Sequence, residues 1–565
     1  METILAMAQV NPHVGNLEGN LELVLRVARQ ARASGADLVV FPELVLAGYP
    51  PEDLLHKPVF LERLEGVEAA LRRGLGEIGI AAIHGGVRRG PDGLFNAGIL
   101  VEEGRETGFV GKWCLPNYGV FDEWRYFQPG REVLLFPWRG TLLGITICED
   151  IWHATGPMTA LAQAGAQWVI NLNASPYHVG KRLERQDIVA RRIRETNLPV
   201  VYVNQVGGQD ELLFDGGSFA MDRQGRIVTQ APLFREDVRL LRVSAPSAGM
   251  IEFQSVANPA GVAGIQPVDQ PDVEEIPPGS EREIYQALCL GLADYVKKNG
   301  FKGVVLGLSG GIDSALTAVI CVDALGPDHV EVVMMPSPFT SSDSLEDAAD
   351  GARRLGIRLS DMAIGELFQG FRKALVTEFA GLPEGVAEEN LQPRIRATLL
   401  MAISNKKGSL LVTTGNKSEV SVGYATLYGD MAGGFSVLKD VLKTTVYRLA
   451  EARNQWARAA GQIPPIPQRV LEKAPTAELK HNQKDTDSLP PYPLLDQILH
   501  LYVEQDFSLK DIVAQGVDWE TAVRVIRMVD RNEYKRRQAC PGVRITRRAF
   551  GKDRRYPITN GFQVT

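Results

Sequence analysis

Two groups of residues in this 565-residue chain have types and spacings that do chemistry. The first is "GLSGGIDSALTAV", residues 307 to 319, a glycine-rich turn between the apolar run "GVVLG" and a helix-like stretch. Glycines there let backbone amides approach an anion, and the helix that follows adds its positive N-terminal end. Ser309 and Ser314 add hydroxyl donors, and Asp313 is placed to hold Mg²⁺. The loop has no lysine, because Ile312-Asp313-Ser314 stands where an ordinary P-loop has Gly-Lys-Ser/Thr. The second group is Glu43 in "VVFPEL", Lys112 in "GFVGKWCLPNYGVFDE" and Cys148 in "LLGITICEDIW". A buried cysteine taken singly reads as a small hydrophobe. Three reactive residues at three strand ends read as a site, since thiol attack on an amide needs a base, a cation for the oxyanion and a route to protonate ammonia.

The elements that must position these groups divide the chain. Residues 1–245 alternate strand-like runs ("TILAMAQV", "ADLVVFPEL", "AQWVINLNAS", "LPVVYVNQV") with helix-like ones, which predicts an α/β sandwich or layered sheet. Residues 246–279, rich in Pro, Gly and Ala, predict an extended connection. Residues 280–565 alternate strand and helix through "GVVLGLSGG", "VEVVMMPSP" and "GSLLVTTGN", which predicts a parallel, doubly wound sheet with ligands at the carboxyl ends of its strands. Within that half, residues 471 to about 495 hold several prolines and little periodicity, the mark of a lid.

Composition narrows the classes. Hydrophobic content of 45% supplies at least two cores, and a net charge of −7 argues against a dedicated binder of nucleic acid or anionic membrane. The start shows no basic segment followed by a long apolar one, and no run is long enough to span a bilayer, so the expected location is cytoplasmic. Five scattered cysteines without paired metal-ligand spacing point to reduced thiols.

"SGGIDS" resembles the signature of the N-type ATP pyrophosphatases, which cut ATP between its α and β phosphates. "ENLQPRIRATLLMAISNKKGSLLVTTGNKSEVSVGYATLYGDMAGG", "PTAELKHNQKDTDSLPPY" and "RITRRAFGKDRRYPITNGF" are similar to the synthetase domain of NAD synthetases, across essentially all of residues 280–565. The resemblance implies that Gly307, Leu308, Ser309, Gly310, Gly311, Ile312, Asp313 and Ser314 cradle ATP, with Thr414 and Arg396 as further ATP ligands. It implies Asn390, Glu419 and Lys535 as contacts to deamido-NAD, and Asp313 and Glu419 as holders of Mg²⁺.

"FPE", "GK…LPNYGVFDE" and "CEDIW" resemble the nitrilase superfamily, an αββα fold that hydrolyses carbon–nitrogen bonds. That likeness implies Glu43 as general base, Lys112 as oxyanion stabiliser and Cys148 as nucleophile, with Tyr118, Ser175 and Lys181 gripping glutamine. Glu123 is a candidate for orienting Lys112, or equally a surface partner of Arg125. Domain order and both motif sets together are similar to the glutamine-dependent NAD synthetases. The implied partners are small molecules, glutamine, ATP and deamido-NAD, with no nucleic acid and no membrane, in a homo-oligomer. Alternatives are another ATP-pyrophosphatase amidotransferase with a different acceptor, a tRNA-modifying enzyme using the basic run Arg531 to Arg555, and a non-catalytic nucleotide-binding scaffold.

Overall fold

The computed structural model describes residues 2–247, 250–256, 276–481 and 483–562. The chain forms two compact units, Met1–Gln209 with Leu213–Pro278, and Asp210–Leu212 with Gly279–Thr565.

The first unit is a four-layer αββα sandwich, as its alternating apolar strands require. One sheet has seven strands in the order Met250–Val256, Asp237–Ser247, Glu2–Gln9, Leu38–Val40, Ala81–Arg89, Leu94–Glu102, Arg105–Gly111. The other has six, in the order Ile227–Gln230, Phe219–Met221, Val200–Asn204, Trp168–Asn173, Thr141–Ile147, Leu135–Trp138. Their inner faces meet in one core, where Leu5, Val40, Ile83 and Leu100 pack with Trp138, Ile145, Ile170 and Val203. Helices Pro157–Gln163 and Lys181–Thr196 cover the second sheet through Leu161, Val189 and Ile193. Residues Met250–Val256 form a strand antiparallel to Asp237–Ser247, and the rest of the expected connection falls mostly outside the described residues.

The second unit has a five-stranded parallel sheet, in the order Arg358–Asp361, Val330–Met334, Val304–Gly307, Leu410–Thr413, Phe435–Ser436. Strand order reverses between Val304–Gly307 and Leu410–Thr413, the point at which open parallel sheets part their loops and bind ligands. Ile395 and Leu400 of helix Val386–Lys407 pack on Val305, Val333 and Leu411. A second cluster joins the helices between Tyr492 and Arg531 around Leu495, Ile512 and Ile526.

Candidate functional sites

In the first unit Glu43, Lys112, Cys148 and Ser175 all lie just past the ends of strands. Cys148 follows Thr141–Ile147 and adopts φ +40°, a left-handed conformation that costs a non-glycine residue energy and lifts its side chain out of the strand direction. Asp150 holds that turn, its carboxylate accepting Ile147 N–H at 2.9 Å. The other oxygen accepts the N–H groups of Trp113 (3.0 Å) and Cys114 (2.9 Å), so one buried carboxylate fastens the lysine loop to the cysteine turn. Gly85 allows the approach on the Glu43 side, where an added Cβ would lie 2.5 Å from the Glu43 Cα.

Lys112 is wholly buried, and its Nζ donates to Glu43 Oε1 at 2.8 Å and to Glu123 Oε1 at 2.7 Å. Glu123 therefore serves the lysine, while Arg125 pairs with Asp53 at 3.2 Å. Tyr49 O–H donates to Glu123 Oε1 at 2.8 Å, and Asn96 Nδ2 donates to Glu43 Oε1 at 2.6 Å. Burial pulls the Lys112 ammonium down, but the Glu123 and Glu43 carboxylates overcome it and hold the group charged. Burial, followed by the Glu43 carboxylate, pushes the Cys148 thiol well above its ordinary range. Cys114, the other cysteine of this region, is pushed to about 12 by burial and Asp150.

Around this cluster Tyr118 O–H donates to both oxygens of Glu149, at 3.0 and 3.1 Å, beside the cysteine. Lys181 Nζ sits 3.9 Å from the centre of the Trp152 ring. Ser175 Oγ accepts from Arg185 Nε at 3.1 Å, and Arg185 is itself locked to Asp215 at 2.6 and 2.8 Å. Tyr49, Asn96, Glu149, Asp150 and Arg185 were missed from sequence. The one available signal was Asn96, a polar residue inside the apolar strand "LFNAGILV".

In the second unit the loop from Gly307 to Ser314 joins strand Val304–Gly307 to helix Ile312–Leu325. Gly310 has φ +79°, and a Cβ there would sit 2.2 Å from the Ser344 carbonyl oxygen, so only glycine fits. Ser314 Oγ accepts Ser309 N–H at 3.2 Å, and Ser309 Oγ accepts Gly311 N–H at 3.2 Å, which fixes the turn from within.

Asp313 meets the loop after Leu410–Thr413, because Asn416 Nδ2 donates to Asp313 Oδ1 at 2.9 Å. Asn416 also caps helix Lys417–Val422 by accepting Glu419 N–H at 3.0 Å. Lys443 Nζ then bridges the two carboxylates, pairing with Asp313 Oδ2 and with Glu419 Oε1, the latter at 3.1 Å. Burial raises Glu419 to about 7, with Lys443 pulling down and Asp313 pushing up. Tyr492 O–H donates to Glu419 Oε1 at 3.1 Å and to Asp485 Oδ2 at 2.8 Å. The segment expected as a lid, 471 to about 495, thus includes a short helical turn, Asp485–Asp487, and lies against this cluster. Glu478 in it accepts the hydroxyls of Ser341 and Ser344, both at 2.8 Å.

The remaining expected residues divide. Thr414 and Arg396 are near the loop: Thr414 directly follows strand Leu410–Thr413, and Arg396 Nε donates at 3.0 Å to the carbonyl of Met335, whose side chain borders Gly307. Burial lowers Arg396 to about 10. Asn390 and Lys535 both serve the stretch 423–426. Asn390 accepts Thr426 O–H at 2.7 Å, and Lys535 Nζ donates to the Gly423 and Ala425 carbonyls at 2.8 and 3.0 Å. Lys535 is therefore tied down rather than part of a solvated basic face. Lys443 and Asn416 were missed, although both lie inside or beside the strings that carried the resemblance.

This geometry defines a fused carbon–nitrogen hydrolase and nucleotide-binding synthetase. Residues 4–250 match the carbon-nitrogen hydrolase family and residues 284–539 the NAD synthase family. The glutamine-dependent NAD(+) synthetase of Acinetobacter baylyi is 44% identical over 99% of this chain and 98% of its own. That of Thermotoga maritima is also 44% identical, over 99% of both chains. A solved glutamine-dependent NAD+ synthetase from Acinetobacter baumannii, in complex with ADP, matches 100% of both chains with a TM-score of 0.76 and 44% identity. One from Cytophaga hutchinsonii, 21% identical, shares the fold with a TM-score of 0.81 over 99% of this chain and 98% of its own. The chain belongs to the glutamine-dependent NAD(+) synthetase family.

Proposed function

We propose that the chain makes NAD by amidating deamido-NAD, with glutamine as nitrogen donor and ATP cleaved to AMP and pyrophosphate. The observation that carries this reading is a buried Lys112–Glu43–Glu123 cluster at Cys148 in the same chain as a lysine-free phosphate loop closed by Asp313, Glu419 and Lys443.

Because the Cys148 thiol is held protonated, attack on glutamine needs a base at the moment of reaction. The proton passes from Sγ to Glu43, sulfur bonds to the side-chain amide carbon, and the carbonyl π pair moves onto oxygen. The Lys112 ammonium stabilises that oxyanion. Collapse breaks the carbon–nitrogen bond, nitrogen takes the proton from Glu43, and ammonia leaves. Water, deprotonated by the same carboxylate, then cleaves the thioester to glutamate and restores the thiol. Ser175 and Lys181 suit the substrate α-carboxylate. Tyr118 holds Glu149 in place, and Glu149 offers a countercharge to the α-ammonium.

At the other site the nicotinate carboxylate of deamido-NAD attacks the α-phosphorus of ATP and the α–β bridging bond breaks. The amides of the 307–314 loop and the N-terminal end of helix Ile312–Leu325 receive phosphate oxygens, with Thr414, Arg396 and Lys443 as further ligands. Asn390 and Lys535 border the deamido-NAD end. Ammonia then adds to the acyl carbon of the adenylate and expels AMP. Asp313 and Glu419 converge on one cation, Lys443 Nζ, and a pair of carboxylate oxygens completed by substrate phosphates is the donor set Mg²⁺ uses. Asp313 and Glu419 would hold Mg²⁺, which would supply neutralising charge to the phosphates.

Homo-oligomeric assembly and a cytoplasmic setting are part of the same proposal. All five cysteines are free, and among the described residues no helix is long and apolar enough to cross a membrane.

The test is Cys148→Ala, assayed for NAD with glutamine and with ammonia at alkaline pH, at saturating ATP, Mg²⁺ and deamido-NAD. Glutamine-driven synthesis should vanish and ammonia-driven synthesis persist, with AMP and pyrophosphate as coupled products. Glutamine-driven NAD formation near the parent level, or coupled release of ADP, overturns the reading.

A further inference from the structure

The Glu43 carboxylate has two oxygens in different surroundings. Oε1 accepts from Lys112 Nζ at 2.8 Å and from Asn96 Nδ2 at 2.6 Å, whereas among the described residues Oε2 accepts only a backbone group, Ala174 N–H at 2.9 Å. Asn96 is fully buried on strand Leu94–Glu102, opposite Val87 of the neighbouring strand. Its amide also points at Glu123 Oε2, at 3.4 Å, and its backbone carbonyl accepts Lys112 N–H at 2.7 Å. Its Oδ1 has no hydrogen-bond partner among the described residues. The two carboxylates therefore dictate which way the amide faces, since a turned amide would set oxygen against oxygen.

We propose that Asn96 is a positioning residue of the glutaminase reaction: with Lys112 it occupies Glu43 Oε1 and leaves Oε2 as the oxygen that takes the Cys148 proton. Asn96 is a neutral donor directed at both buried carboxylates of a site in which two acids share one ammonium. It donates to Glu43 without adding a second cation that would hold the carboxylate away from the thiol. The titratable groups facing Glu43 are Lys112, Glu123, Tyr49 and Cys148, and Glu149, Lys181, Tyr118, Tyr202 and Arg185 face Cys148 from the surrounding elements. None of them replaces the Asn96 amide on Oε1.

The inference rests on the reading of Cys148 as nucleophile and Glu43 as its base. Asn96→Leu keeps nearly the same shape without the donor, and Asn96→Ala removes donor and bulk. The loss of a hydrogen bond to a carboxylate should raise the acid limb of the glutaminase kcat/KM profile by about 1–2 pH units in both variants. The rate of Cys148 alkylation by iodoacetamide should shift on the same limb, which separates the effect from glutamine binding. Ammonia-dependent NAD synthesis and the melting transition are followed as controls on the fold. Activity scaled down at every pH with the limb unmoved, or different limbs in the Leu and Ala variants, overturns the proposal. So does loss of the folded glutaminase unit in both, which would assign Asn96 to the fold. If Cys148→Ala retains glutamine-driven synthesis, the reading beneath fails. If that variant is inactive and the Asn96 profiles are unshifted, this inference alone fails.

Discussion

Replacing Lys112 with methionine keeps much of the side chain's volume and removes one charge from a place no water reaches. In the parent, two carboxylates lie 2.7 and 2.8 Å from the ammonium, and the lysine is fully buried. Removing one partner of a buried ion pair costs about 3–5 kcal/mol, because the other charge is left uncompensated. For a domain of this size each kcal/mol lowers Tm by roughly 2–4 °C, so the glutaminase unit should melt roughly 6–20 °C earlier near neutral pH. The loss must depend on pH. Glu123 is already raised by burial against the pull of Lys112, and without that pull it rises further beside Glu43. A carboxyl whose folded-state pKa exceeds its unfolded value of about 4.3 stabilises the fold below that value and loses this contribution as pH rises through the folded pKa. The melting deficit of Lys112→Met should therefore be small near pH 4 and widen towards pH 8. In the parent the Glu123 contribution is smaller, because Lys112 pulls that carboxyl back down, and the raised Lys112 keeps its own contribution until pH passes the ordinary lysine range. Catalysis should fall more than stability explains. Loss of one oxyanion stabiliser costs about a hundred- to thousandfold in kcat, and a proton shared by the two carboxylates occupies the base as well. Differential scanning calorimetry across pH 4–8, with glutaminase turnover on the same samples, reads both effects. Turnover near the parent, or a deficit that shrinks with rising pH, refutes the buried two-carboxylate arrangement.

The other expectations concern residues whose loss should separate the two activities. Asp313→Asn keeps the Asn416 contact's size but halves the carboxylate pair around Lys443, and NAD synthesis should fall with glutamine and ammonia alike while glutaminase turnover stays measurable. Retained ammonia-driven synthesis would remove Asp313 from the phosphate site. Glu149→Gln should raise KM for glutamine about tenfold or more with a smaller change in kcat, as expected when a charge-assisted contact to the substrate ammonium becomes a neutral one. An unchanged KM would return Glu149 to the role of a Tyr118 anchor.

What could be read from the sequence depended on how far each residue's partners lie along the chain. Glu43, Lys112 and Cys148 were legible because each closes an apolar, strand-like run, Glu43 and Lys112 following strands of one sheet and Cys148 a strand of the sheet packed against it. Their partners left no such mark. Asp150 sits two residues from Cys148, yet what makes it matter is the pair of backbone amides it receives from residues 113 and 114. Lys443 opens a helix, where a lysine ordinarily reads as solvated, and it acquires meaning from Glu419 and from a carboxylate 130 positions earlier, Asp313. The strand Met250–Val256 was hidden differently: Pro, Gly and Ala on both sides made "MIEFQSV" read as part of a connection, and it is held extended by pairing with Asp237–Ser247 and by Ile251 and Phe253 packing on the core. Periodicity reports which face a residue shows to the core, and it says nothing of which buried polar groups will find one another there. Those pairings cost most when left incomplete, so the buried partners Asn96, Asp150 and Lys443 are where substitutions should report most sharply on function.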